Sequence, residues 1–250
     1  AEESMSTFIV IPTYNERENL PTLMERLFAL PIDDLQLLIV DDNSPDGTGQ
    51  LADQMAAEQP QKVFVLHRAG KQGLGTAYLQ GFQRALELGA DRVVQMDADF
   101  SHPPEKIVEF MKEIPNYDLV IGSRYVPGGQ LDERWPLWRK FLSGFGNFYA
   151  RTILGMKIRD VTGGYRLWRR SALQRMPLER VRSNGYIFQV EMSYIASMLG
   201  FKVIEVPIYF ADRMWGQSKM SLRIQLEAAY RTWTLPGRYT DLRRQRAANS

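Results

Sequence analysis

Phe8-Ile9-Val10-Ile11-Pro12-Thr13-Tyr14-Asn15-Glu16 decides how the chain is to be read. Four apolar residues, three of them β-branched, make a short strand buried on both faces, and Pro12 stops it. A polar cluster follows at once. Asn15 is placed to cap a helix in which Glu16 and Glu18 are acidic first-turn residues and Leu20, Leu23, Leu27 and Phe28 form an apolar stripe. Leu35 to Val40 repeats the pattern and ends in Asp41-Asp42-Asn43-Ser44-Pro45-Asp46-Gly47, a run of turn formers. Further out, the spacing predicts a helix over 48–58, a strand from Val63 to His67 and a helix over 75–88. A strand from Arg92 to Met96, a helix over 104–113 and a strand from Asp118 to Gly122 follow.

Strands alternating with helices predict an α/β fold: a mostly parallel central sheet, Rossmann-like, with helices on both faces. Ligands of such sheets bind beyond the carboxyl ends of the strands. Three of those ends carry polar clusters: Pro12 to Glu16, Asp41-Asp42, and Asp97-Ala98-Asp99. After Pro127-Gly128-Gly129 the rhythm changes. An amphipathic helix is expected over 138–156, then a turn-rich segment from Asp160 to Trp168 around Gly163-Gly164. A helix over 186–199, a strand from Lys202 to Pro207, a loop over 211–220 and a helix over 221–233 complete the reading. One domain over 7–235 is expected, with 134–159 as its amphipathic region and 236–250 as a basic, mobile tail.

Composition narrows the chemistry. The 250 residues are 44% hydrophobic, enough for a full core, and Lys+Arg 31 against Asp+Glu 29 gives +2, so no global field favours nucleic acid. The absence of cysteine excludes disulfides, thiol catalysis and cysteine-ligated zinc, and only His67 and His102 supply imidazoles. A metal here would be a hard, oxygen-bound ion: magnesium, manganese or calcium. No run reaches the roughly 18 apolar residues of a membrane span, and Ala1-Glu2-Glu3-Ser4 is unlike a signal peptide. A cytoplasmic chain able to lie on a membrane is expected.

Val93-Val94-Gln95-Met96-Asp97-Ala98-Asp99 puts two carboxylates just past a buried strand. A divalent cation would offset their repulsion and bridge to phosphate oxygens, although Asp is also a common turn former. Asp41-Asp42 divides the same way, between a turn and an acceptor for a base or ribose. Gly73-x-Gly75 does not complete a dinucleotide fingerprint, because Tyr78 takes the third glycine's place, and there is no Walker loop. Between Arg134 and Arg159 there is no acid, while Arg134, Arg139, Lys140, Arg151, Lys157 and Arg159 are basic. An aromatic helix with that polar face suits a lipid–water interface, and equally an ordinary core-packed helix with a solvated basic side. Arg139 and Ser143, one helical turn apart, are placed to hold a phosphate jointly.

Five ordered motifs carry a family resemblance. They are Ile11 to Leu20, Val40 to Asp46, Met96 to Pro104, Gly122-Ser123-Arg124-Tyr125, and Arg213-x-x-Gly216-x-Ser218-Lys219. Together they resemble the GT-A family 2 glycosyltransferases, and within them the polyprenol-phosphate (dolichol-phosphate) mannose synthases. The resemblance implies mannose transfer from GDP-mannose to a polyprenyl phosphate, inverting and dependent on Mg2+ or Mn2+. The alternatives are a UDP-glucose or other lipid-phosphate glycosyltransferase, and a non-catalytic membrane-surface or carbohydrate-binding module.

By the same resemblance, Pro12, Tyr14, Glu16, Val40 and Asp42 would line the guanosine, and Asp97, Ala98 and Asp99 would meet metal and diphosphate. Arg124, Arg213 and Lys219 would neutralise phosphate charge, with Asp97, Asp99 and Arg124 as the catalytic set. Arg139 and Ser143 would bind the lipid phosphate. Some members carry Gln where Ser101 stands, and the shorter side chain leaves that coordination position to water. A further partner expected is the cytoplasmic face of a membrane, with or without a separate membrane-anchoring protein.

Overall fold

The computed structural model describes residues 5–212 and 222–248. Its strands are β1 (Thr7–Thr13), β2 (Leu35–Asp41), β3 (Val63–His67), β4 (Arg92–Gln95), β5 (Leu119–Ser123), β6 (Gln130–Leu131), β7 (Arg166–Arg169), β8 (Val203–Pro207) and β9 (Tyr209–Phe210). Seven form one sheet in the order β3-β2-β1-β4-β7-β5-β8, and β6 pairs with β9 apart from it. Every neighbour in the large sheet is parallel except β7, which runs antiparallel to β4 and β5.

The helices are α1 (Leu20–Phe28), α2 (Thr48–Glu58), α3 (Leu74–Glu87), α4 (Lys106–Glu113), α5 (Leu137–Ile153), α6 (Arg170–Arg175), α7 (Tyr186–Met198), α8 (Leu222–Arg238) and α9 (Thr240–Ala248). The sheet separates two large apolar clusters. One gathers Phe8, Val10 and Val40 under α3 and α7, and the other gathers Ile9, Ile11 and Leu37 under α1 and α4. Residues alternating along β1 thus serve opposite faces, which is why its sequence is continuously apolar. α3 approaches β1 so closely that a Cβ on Gly81 would lie 2.3 Å from Val10 Cγ1.

Three segments differ from the sequence reading. Arg166–Arg169, expected among turns, is a central strand; Arg166 opposes Gln95 and Trp168 opposes Val93. Its alternation is concealed because the inward-facing Arg166 is polar, its guanidinium bonded to the carbonyls of Gly163 and Gln189 and to Ser193 Oγ. Asn15 does not cap α1, which begins at Leu20 after Asn19. Asn15 instead takes φ 63° in the turn between strand and helix, its N–H donating to Ser44 Oγ at 3.1 Å. Residues 236–248 are ordered as the end of α8, a turn at Tyr239 and α9, with Tyr239 and Leu242 buried against the core and Arg180 paired to Asp241 at 2.8 Å.

Candidate active site

β1 lies between β2 and β4, so the three polar strand ends meet at one edge of the sheet. Pro12 stands opposite Val40 and Thr13 opposite Asp41, while Val10 opposite Gln95 carries Asp97 to about the level of Pro12. Three sharp turns follow these strands, each containing a non-glycine residue in the left-handed region: Asn15 (φ 63°), Asn43 (φ 57°) and Phe100 (φ 60°). For an aromatic residue that conformation is strained, and strain of this kind concentrates at functional sites.

The two acids that close β2 have different surroundings. Asp41 is buried and accepts from Thr13 Oγ1 (3.1 Å), Ser44 Oγ (2.6 Å) and Ser44 N (3.1 Å), so it organises the loops. Asp42 meets Arg68, whose Nη1 donates to Oδ1 at 2.5 Å with both side chains nearly sealed from solvent. Arg68 also donates to Thr76 Oγ1 at 2.6 Å, yet its buried Nε has no partner among the described residues. Burial lifts the Asp42 carboxyl above its ordinary range even though Arg68 pulls it down. Tyr14 lies beside them with Lys71 Nζ 3.9 Å over its ring. Glu16 accepts from Asn19 Nδ2 at 2.7 Å, and Val40 is wholly buried in the core, at the floor of this cleft rather than on its wall.

Asp97 and Asp99 sit beyond β4. Tyr78 Oη donates to Asp97 Oδ1 at 2.7 Å, and Asp97 N–H donates to His102 Nδ1 at 3.0 Å. A ring nitrogen that accepts is unprotonated, so His102 carries its proton on Nε2. Burial drives its pKa below the ordinary histidine value, against the pull of Asp97, Asp99 and Asp160 and with the help of Arg124. Those charges therefore share one neighbourhood. Ser101, 1% exposed, donates N–H (3.1 Å) and Oγ (2.6 Å) to Asp99 Oδ1, so it orients that carboxylate instead of standing open to solvent. Among the described residues no cluster of three His, Cys, Asp or Glu forms a metal cage. Two hard carboxylates with further positions left for phosphate and water still fit Mg2+ or Mn2+, which retain such ligands.

Antiparallel β7 brings the loop before it to the same edge, and there Arg124 is engaged. Its Nε and Nη2 each donate to Asp160 at 2.8 Å, its backbone N–H donates at 3.0 Å, and Nη2 reaches Thr162 Oγ1 at 2.6 Å. Next to it Tyr125 Oη and Ser143 Oγ share a hydrogen bond of 2.7 Å, tying α5 to the cleft. Arg139 lies 3.6 Å over the Trp135 ring and 3.3 Å from Asp212. Helix α5 is turned inside out. Leu137, Trp138, Phe141, Phe145 and Phe148 are 53–83% exposed, while Asn147 and Ala150 face inward, Asn147 bonding Arg159 O and Val161 N. Tyr230 and Trp233 of α8 are also exposed, and Trp233 Nε1 donates to Tyr149 Oη at 2.6 Å.

Residues 8–176 match the family described as Glycosyl transferase family 2. Polyprenol monophosphomannose synthase of Mycolicibacterium smegmatis is 47% identical over 236 residues, covering 93% of this chain and 88% of that protein. The chain belongs to glycosyl transferase family 2. Another relative of this glycosyltransferase, undecaprenyl-phosphate mannosyltransferase of Micrococcus luteus, is 47% identical over 242 residues, or 96% of this chain and 98% of that one. A crystal structure of glucosyl-3-phosphoglycerate synthase from Mycobacterium tuberculosis, with Mn2+, UDP and glucosyl-3-phosphoglycerate, superimposes with TM-score 0.63 at 17% identity, over 94% of this chain and 80% of that one. That likeness is one of fold, the GT-A arrangement. Membership in the family removes the non-catalytic module from consideration.

For this glycosyltransferase, sequence reading brought Pro12, Tyr14, Glu16, Asp42, Asp97, Ala98 and Asp99 to a single edge. Arg213 and Lys219 lie outside the described residues. The sequence alone gives no role to Arg68, Tyr78, His102 and Asp160, whose groups bond Asp42, Asp97 and Arg124 in the structure. Arg68 had a visible signal, since it directly follows a strand, as Asp42 does.

Proposed function

We propose that the protein transfers mannose from GDP-mannose to the phosphate of a polyprenyl phosphate, at the cytoplasmic face of a membrane. The observation that carries this reading is the inside-out α5, an aromatic surface whose Ser143 reaches Tyr125 beside the Asp97–Asp99 cleft. An exposed apolar face of that kind suits an interfacial helix, and lipid is the partner that would bring an acceptor phosphate to the cleft's rim. The names of the two 47% identical relatives support mannose as the sugar and a polyprenyl phosphate as the acceptor. No helix of the described residues is long and apolar enough to cross a membrane. The contact proposed is through the exposed apolar face of α5, with or without a separate anchoring protein.

In this reading Tyr14, Asp42 and Arg68 hold the nucleoside. Asp97 and Asp99 hold Mg2+ or Mn2+, which when bound supplies positive charge to the departing diphosphate. A phosphate monoester has its second pKa near about 6, so at neutral pH the acceptor is a dianion and needs no general base. Its oxygen attacks the anomeric carbon as the bond from that carbon to the diphosphate breaks, with inversion, and GDP leaves. The protein's task is to bring two anions together. Arg139, half-buried and only loosely paired to Asp212, can exchange that carboxylate for the acceptor phosphate, and Arg213 and Lys219 are assigned to the same charge. Arg124, committed to Asp160, fixes the wall that Tyr125 and Ser143 share.

The test is incubation with GDP-mannose labelled in the sugar, Mn2+ and a short-chain polyprenyl phosphate, followed by extraction of product into organic solvent. Label in the organic phase that requires all three is expected. A clear preference for UDP-glucose in a donor panel would overturn the mannose assignment.

A further inference from the structure

Tyr78 stands where a dinucleotide fingerprint would have its third glycine, and its ring is wholly buried in α3. Phe82 stacks on it at 5.8 Å and Phe188 at 6.1 Å, the latter within 4° of parallel. A buried ring held by two stacked aromatic neighbours presents its hydroxyl from one fixed point. That hydroxyl donates to Asp97 Oδ1 at 2.7 Å, while His102 Nδ1 accepts the Asp97 N–H. Backbone and side chain of Asp97 are thereby gripped separately. Tyr78 is sealed from solvent while Asp97 is only half-buried, with its Oδ1 engaged by Tyr78.

We propose that Tyr78 is a positioning residue for the transfer reaction: it occupies one oxygen of Asp97 and thereby aims the other at the divalent cation and diphosphate of the donor. The inference rests on the reading of Asp97 and Asp99 given above. Groups that hydrogen-bond a metal-binding carboxylate from behind fix its orientation, and losing one typically weakens metal affinity about 10–100-fold. The aromatic stacking explains why tyrosine suits the position. A serine could not span the gap from α3, and a flexible donor would let the carboxylate turn.

Mn2+ binding in the presence of GDP, followed by electron paramagnetic resonance, tests this without turnover. Tyr78→Phe keeps the stack and removes only the hydroxyl. Its Mn2+ dissociation constant should rise at least about tenfold, while kcat at saturating Mn2+ changes far less. Adding Tyr78→Phe to Asp97→Asn should cause little further loss, because the hydroxyl acts through that carboxylate. Phe188→Leu, which keeps the hydroxyl and loosens the ring, should weaken Mn2+ binding by a smaller factor and gives a second route if Tyr78→Phe folds poorly. A lower Tm with unchanged Mn2+ affinity in these variants would make the hydroxyl merely structural and overturn the proposal. If wild type binds Mn2+ no better than Asp99→Asn does, the metal reading itself fails and this inference goes with it.

Discussion

Replacing Asp160 with asparagine preserves the side chain's outline and removes the charge that faces Arg124. The wild-type carboxylate is fully buried and accepts from Arg124 Nε, Nη2 and backbone N–H and from Thr162 Oγ1, and the Arg124 side chain is itself only 9% exposed. Removing one member of a buried pair leaves an uncompensated charge and costs about 3–5 kcal/mol. Asparagine retains one acceptor oxygen, which places the loss near the lower figure. For a chain of this size each kcal/mol moves Tm by about 2–4 °C, so a fall of about 6–12 °C is expected.

The pH dependence follows from the sign of the shift. Burial raises the Asp160 pKa, but Arg124 outweighs it and the net value lies below the ordinary carboxylate range. The stabilisation is therefore complete above the unfolded pKa of about 3.9 and is lost as pH falls through the folded value. Thermal unfolding followed by circular dichroism should show the full gap between wild type and Asp160→Asn at pH 7, and a shrinking gap below about pH 4. A variant within about 2 °C of wild type at pH 7 would refute the argument that this pair is structural.

Asp99→Asn should abolish metal-dependent transfer while lowering Tm by no more than about 2–4 °C, the equivalent of one weakened hydrogen bond; near-normal activity would remove Asp99 from the metal. Arg68→Ala should weaken GDP binding about 10–100-fold by calorimetry, the loss expected for charge-assisted hydrogen bonds, and unchanged affinity would place Arg68 outside the nucleoside site. Phe141→Asp with Phe145→Asp should reduce sedimentation with polyprenyl-phosphate vesicles at least about a hundredfold, since each buried phenylalanine is worth about 1.5–3 kcal/mol. Both positions are exposed, so Tm should not fall; unaltered vesicle binding would sink the membrane role of α5.

What could be read beforehand follows from which signals are local. Phe8 to Ile11 and Leu37 to Val40 are apolar because helices cover both faces of the sheet, so a strand and its end can be seen in the residues themselves. Arg166–Arg169 could not be seen, because its inward Arg166 is satisfied by carbonyls from residues 163 and 189, partners that only the tertiary fold supplies. The asymmetry of α5 was legible, but a period of 3.6 does not say which face turns inward. Asn147, bonded to Arg159 and Val161, decides that. The basic stretch at 236–250 read as a mobile tail because its anchors are distant in sequence. Arg238 Nη1 and Tyr239 Oη both donate to the buried Glu191, at 2.7 and 2.9 Å.

Two buried arginine–aspartate pairs at one sheet edge show how the fold distinguishes structure from function. Asp160 has its acceptors filled by donors of this chain, and the result favours the charged form. Asp42 has, among the described residues, one short side-chain bond, to Arg68; burial prevails, and its carboxyl lies above the ordinary range. By the same sign rule, that raised pKa means ionised Asp42 works against folding at neutral pH, an effect that fades as pH falls and the group protonates. Arg68 adds a buried Nε without a partner among the described residues. An incompletely satisfied polar pair is destabilising in the free protein and persists where a ligand completes it. A nucleoside presenting both donor and acceptor atoms would complete this one, favouring charged Asp42 and filling the arginine. Within the function proposed, the acid placed on the donor is the one the fold leaves under-satisfied, Asp42 rather than Asp41 or Asp160, although all three are buried aspartates at one edge of the sheet.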